Sequence, residues 1–196
     1  MENLPRTAGD WARALFDAFS QESDRAAAIV AGAMLDDALL KLLKARLVVP
    51  DNEERSILDG VNAPLGTFSA RIDGALQLGL VSTYLARDLH LIRKIRNAFA
   101  HEPLETTFDT QRIADLVSAV EAGSDYNTRH PETRQAMGPA SKKGDFLGIV
   151  GWILYTIHSD AETIERVEPA RPEFGYLRFE DLPPLVRELL RREGAA

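Results

Sequence analysis

An all-α fold, one bundle of six to eight helices, is what this 196-residue sequence predicts. Three observations carry that expectation. Apolar residues recur at three- and four-residue steps along almost the whole chain, the spacing of one face of a 3.6-residue helix. Stretches rich in Ala and Leu, which favour helix, are separated by short runs holding Pro, Gly or Asn. The one strand candidate in the C-terminal tail, FGYLRF, is short and stands alone.

The elements follow in order. Trp11, Ala14, Leu15, Ala18 and Phe19 mark a first helix. A long helix is expected from Asp24 to about Val48, with Pro50-Asp51-Asn52 ending it. A short helix is expected over Glu53 to Leu58, followed by the turn GVNAPLGT. Thr67 or Ser69 caps the next helix, FSARIDGALQLG, and Gly79 closes it. Ser82 or Thr83 opens a helix through Leu89, Ile92, Ile95 and Phe99 that ends near His101, because Pro103 disfavours helix at Glu102. Thr110 caps a helix to about Val120. Residues 123 to 144 read as a loop with at most one helical turn, and Asp145 opens an apolar helix to about Val167. Asp181 begins a last amphipathic helix, Leu182 to Arg192. The expected organisation is a helical domain over 1–167 and a proline-punctuated segment over 168–196.

Composition narrows the function classes. The chain has no cysteine, which excludes disulfides, thiolate zinc sites and cysteine nucleophiles and fits a cytoplasmic setting. The longest apolar stretch, FLGIVGWILYTI, is too short to span a bilayer, and the N-terminus shows no signal-peptide pattern, so no membrane partner is expected. Net charge is -7, which repels nucleic acid unless a basic patch exists. One does: residues 87 to 101 hold Arg87, Arg93, Lys94 and Arg96 against Asp88, giving +3 there and -10 elsewhere.

That patch contains RKIRNAFAHE, Arg93 to Glu102. Arg93, Asn97 and His101 fall on one helical stripe at four-residue steps, with Arg96 beside it. Arg96 and His101 are roughly 140° apart on an ideal helix, and a break near Pro103 would swing them together. Arginine forks onto phosphate oxygens, and histidine moves a proton near neutrality, so the group suits phosphodiester cleavage with no cofactor. The structural alternative is a helix end whose carbonyls and dipole Arg and His satisfy, with Arg96 pairing to Asp36 or Asp37. GALQLGLVSTYLARDL also has helix-turn-helix form, which would make Ser82, Thr83, Tyr84 and Arg87 the start of a recognition helix, against the plain alternative of two core helices joined by a tight turn. His90, His101, His130 and His158 lack metal-ligand spacing, so no metal is expected. Gly148 and Gly151 read as close helix contacts, and Phe68, Trp152 and Tyr155 as core.

The run APLGTFSARIDGALQLGLVSTYLARDLHLIRKIRNAFAHEPLETTFD resembles the mannitol operon repressor (MltR) family. The matching features are an APL-x-x-FSARI segment, a glycine-leucine turn, and a DL-x-L-x-RKIRN-x-FAH helix in that order; AMLDDALLKLLKARLV fits the family's long helix. The resemblance implies an all-helical regulator without a DNA-binding domain of its own, acting through a protein partner such as a DNA-bound regulator. Arg96, Asn97 and His101 also resemble the Arg-Asn…His motif of the HEPN superfamily. That resemblance implies a homodimer and, as the alternative function, a metal-independent endoribonuclease. In such an enzyme Arg96 would hold the scissile phosphate, His101 would be the acid or base, Asn97 would orient them, and Arg93 and Lys94 would bind the RNA backbone. The leading expectation is the regulator; the ribonuclease, a toxin or phage-defence effector, is the alternative.

Overall fold

Five helices open on a Ser or Thr whose side-chain oxygen accepts a backbone N–H three residues on, satisfying one of the donors that every helix start leaves orphaned. In the computed structural model these caps are Thr7, Ser23, Thr67, Ser82 and Ser141. The structure describes residues 5–50, 56–60, 62–102, 105–124, 126–136, 140–170 and 177–192. The helices are α1 (Ala8–Phe19), α2 (Asp24–Arg46), α3 (Phe68–Gln77), α4 (Thr83–His101), α5 (Gln111–Ser124), α6 (Tyr126–Arg129), α7 (Pro131–Ala136), α8 (Lys142–Thr163) and α9 (Pro184–Arg192). Seven of them have nine residues or more, and the described residues contain no strand. The all-α bundle is therefore the fold.

Several boundaries differ from expectation. The stretch 123–144 contains α6 and α7 rather than a loop with one turn. α8 starts at Lys142, not Asp145: Ser141 Oγ accepts Gly144 N–H at 3.1 Å, and Asp145 sits in the first turn, where its carboxylate takes Arg134 Nε at 2.7 Å. α8 ends at Thr163 and α2 at Arg46, each earlier than the apolar pattern suggests. Arg166 donates to the Lys44 and Ala45 carbonyls in the last turn of α2, and Arg46 donates to the Glu165 carbonyl just past the end of α8, which ties the two chain segments together where the helices stop. Ser56 to Leu58 are not helical, and Glu53 lies outside the described residues. α9 starts at Pro184 because proline fits the first helical position, where no N–H is needed; Asp181 belongs to a preceding 3-10 turn, Phe179–Asp181. Of FGYLRF, residues 174–176 lie outside the described residues, and Leu177 and Arg178 form no strand.

The chain divides into two compact units, Met1–Arg166 and Val167–Ala196. In the first, α2 is the central element. It packs on α3, α4 and α8, and Leu35, Leu39, Leu42 and Leu43 are fully enclosed. α1 lies against α8, and α5 joins α4 to α8. Phe99, Phe108 and Phe146 form a tilted aromatic series with centroids 4.9 and 5.0 Å apart, which ties α4 and α8 through the loop before α5. Phe108 is held in register by its N–H, which donates to Asp24 Oδ2 at 2.9 Å at the start of α2. Trp152, Tyr155 and Phe68 pack on the core as half-buried residues. In the second unit, the Arg191 guanidinium covers the Phe179 ring at 5.6 Å. Leu185 and Leu189 are exposed there, one helical turn apart.

His158 on α8 stacks on Trp11 of α1, with ring centroids 5.0 Å apart and 13° between planes. Burial holds its pKa below the usual 6.5, helped by the Lys41 charge and opposed by Asp37 and Glu162. Below pH 6.5 the unfolded chain takes up this proton before the folded one does, so stability falls as pH drops from there. His158→Phe keeps the stacking and removes the titration. Its melting temperature should drop less than wild type's between pH 7 and pH 5, by roughly a few degrees. Parallel pH profiles for the two proteins would refute this role for His158.

Candidate functional site

Buried charges need partners, and the charged residues on the inner faces of α2, α3 and α4 define the site. Arg71 on α3 is 9% exposed. Its Nη1 donates to Asp36 Oδ1 at 2.7 Å, its Nη2 to the Leu58 carbonyl at 3.2 Å and its Nε to the Leu65 carbonyl at 3.1 Å. Asp59 lies at 4.0 Å. Arg71, not Arg96, is therefore the partner of Asp36. Asp37 pairs with Lys41 on the exposed edge of α2, at 2.7 Å.

Arg96 has a different setting. Its aliphatic stem crosses α2 at Gly32, where a Cβ would stand 2.7 Å from Arg96 Cγ. Only the missing side chain leaves room for that crossing. Arg96 Nη1 donates to Asn97 Oδ1 at 3.0 Å, and no carboxylate pairs with it among the described residues. Arg93, one turn earlier, also lacks a carboxylate there, and its Nε is buried with no hydrogen-bond partner. Leaving such a donor unsatisfied costs about 1–3 kcal/mol, so the position is not one that packing alone favours.

Arg93, Arg96 and Asn97 line a cavity of about 560 Å³. α2 contributes Gly32, Ala33, Asp36, Asp37 and Leu40 to it, and the start of α3 contributes Thr67, Phe68, Ser69 and Arg71. His101 does not line the cavity. α4 stays helical through His101, so no break turns the imidazole toward Arg96, and His101 is exposed at the helix end. Lys94 is likewise exposed and outside the cavity. The structure thus joins Arg93, Arg96 and Asn97 in one pocket and leaves His101 and Lys94 apart from it.

The carbonyls at the end of α4 are met by Arg25 of α2, which donates to the Phe99 carbonyl and, at 3.1 Å, to the Glu102 carbonyl. Arg87 is not a free recognition side chain. It grips the buried Asp88 through Nε and Nη2, at 3.0 and 2.6 Å, and donates to the Ala119 carbonyl of α5. Burial raises the pKa of Asp88 above the ordinary carboxylate value, against the opposing hydrogen bond and charge of Arg87. Ser82 is the cap of α4, and Ser82, Thr83, Tyr84 and Arg87 are all exposed. The inner face of α4, with Leu89, Ile92, Ile95 and Phe99, packs against α2, α3 and α5, as two core helices joined by a tight turn would.

His90 Nε2 meets Asp73 Oδ1 at 3.0 Å, tying α4 to α3. No group of three His, Asp or Glu among the described residues could hold a metal ion. No helix of the described residues is long and apolar enough to cross a membrane.

The residues that sequence reading missed are Gly32, Arg71, Thr67 and Ser69 as pocket walls. A signal was present: Arg71 and Asp36 interrupt faces that are otherwise apolar, and such charges imply a partner in the fold. Comparisons with protein-family models, with curated proteins and with solved structures found no match.

Proposed function

We propose that this chain is a cytoplasmic helical regulator of the mannitol operon repressor type, homodimeric and without a DNA-binding element of its own, that acts through a protein partner. The observation that carries this reading is the separation within RKIRNAFAHE. Arg93, Arg96 and Asn97 face a pocket that holds no imidazole, while His101 stands outside it in solvent. Such a pocket can bind, and no histidine is among its lining residues. The net charge of -7 favours a protein partner over duplex DNA.

A second reading, a metal-independent endoribonuclease, has one observation in its favour: Asn97 orients the Arg96 guanidinium at 3.0 Å. His101 would then act from the solvent-facing end of α4, on RNA bound across two copies of the chain.

Two assays divide these readings. The purified chain should leave both duplex DNA unshifted and labelled single-stranded RNA uncut in EDTA, while the tagged chain should be recovered on chromatin only when a second protein is present. RNA cleavage that His101→Ala abolishes, in a variant with wild-type circular dichroism, would establish the ribonuclease instead. A sequence-specific shift of duplex DNA by the purified chain alone would overturn both.

A further inference from the structure

We propose that the pocket between α2, α3 and α4 is a binding site for a small phosphate monoester, held by Arg93 and Arg96. This does not rest on the regulator reading, since a pocket of this kind can serve any helical domain.

Two guanidiniums stand three residues apart on α4, and neither has a carboxylate partner among the described residues. Arg93 Nε is buried with its hydrogen-bonding capacity unused. The acids on the opposite wall are already neutralised, Asp36 by Arg71 and Asp37 by Lys41. Two adjacent guanidiniums suit the several oxygens of a tetrahedral dianion, which both can fork onto at once.

The start of α3 borders the same pocket. Thr67 Oγ1 accepts the Ala70 N–H, at 3.2 Å. The earlier N–H groups, of Phe68 and Ser69, have no acceptor within the helix, and both residues line the pocket. A helix start of this length adds positive potential and donors to the arginines facing it.

The shape of the pocket selects a small ligand. The cavity of about 560 Å³ has room for a phosphate and an organic portion. Phe68 and Leu40 offer apolar contact to that portion, and Asp37 can accept its hydroxyls. Outside residues 87 to 101 the chain carries -10, which disfavours a long polyanion more than a compact one.

Isothermal titration of the full chain with ribose 5-phosphate, adenosine monophosphate, inorganic phosphate, unphosphorylated ribose and a short single-stranded RNA tests the proposal. The two monoesters should bind saturably, inorganic phosphate more weakly, and ribose not at all. Arg93→Gln and Arg96→Gln should each weaken the esters by at least about tenfold. Because the Arg96 stem packs on Gly32, Ser69→Asp provides a second variant. Aspartate suits the first turn of a helix, so the fold should hold, yet its charge should expel the ligand by a similar factor, about tenfold or more. Lys94→Gln should bind as wild type does. Absence of saturable binding by both esters, or ester binding that survives both Arg93→Gln and Ser69→Asp, would overturn the proposal. So would inorganic phosphate binding as tightly as the esters, which would make this a free-phosphate site, or RNA as the sole binder.

Discussion

Gly151→Val should lower the melting temperature by roughly 6–12 °C, the equivalent of about 3 kcal/mol for a chain of this size. A Cβ at position 151 would stand 2.5 Å from Ala12 Cα and 2.6 Å from Ala12 N. The obstruction is helix backbone, which cannot rotate aside as a side chain can. Either α1 lifts, uncovering Trp11, Ala12 and Leu15, or α8 shifts and opens the contact with α2. Valine also crowds the helix with its second branch, so Gly151→Ala should cost noticeably less. Thermal melts followed by circular dichroism at one pH measure both. A melting temperature for Gly151→Val within about 2 °C of wild type would mean that α1 and α8 do not meet backbone to backbone at this point.

Arg71→Leu should destabilise the fold by about 3 kcal/mol. The loss has two parts. Asp36, whose side chain is 31% exposed, keeps a charge with its partner gone, and that partial exposure puts the cost at the low end of the range for a broken buried pair. The carbonyls of Leu58 and Leu65 also lose their donors. Arg71 thus pins the segment before α3, where the Leu65 N–H in turn donates to the Ile57 carbonyl at 2.8 Å. Urea unfolding gives the free energy, and hydrogen exchange at the Leu65 amide should accelerate by more than the global loss alone accounts for. Arg71→Lys should fall in between, because an ammonium cannot fork to three acceptors in fixed directions. An Arg71→Leu variant as stable as wild type would show that the network contributes nothing.

The helical character of this chain was legible because it depends on local chemistry. The spacing of Leu89, Ile92, Ile95 and Phe99 is a property of one helix, and so is the capping by Thr67 or Ser82. Where local chemistry is ambiguous, the sequence does not mark the element. Residues 126–136 hold too few apolar positions to show a period, yet α6 and α7 form there with their neighbours α1 and α8 as support. Ser141 was a sound cap signal that the more conspicuous Asp145 obscured; Asp145 serves instead as the acid of the first turn.

The site was half legible. The excess of basic charge around Arg93 and Arg96 is written in the sequence, and so is their three-residue spacing. The stripe that joins Asn97 to His101 is also there, but it reports only which way the side chains point from one helix. It does not say how far along α4 the neighbouring helices extend. α3 begins against Arg93 and Asn97, and the pocket it forms with α2 ends before His101.

By itself, then, the sequence determined the longer helices, the caps Thr67 and Ser82, the basic cluster on α4 and the absence of cysteine chemistry. Each follows from residues close together in the chain. Tertiary structure alone decided that Arg71 rather than Arg96 meets Asp36, that Gly32 makes room for the Arg96 stem, and that His101 stays in solvent. The physical reason is common to all three: they depend on the rotation and offset of one helix against another, which are set by packing among residues tens of positions apart and leave no local period to read.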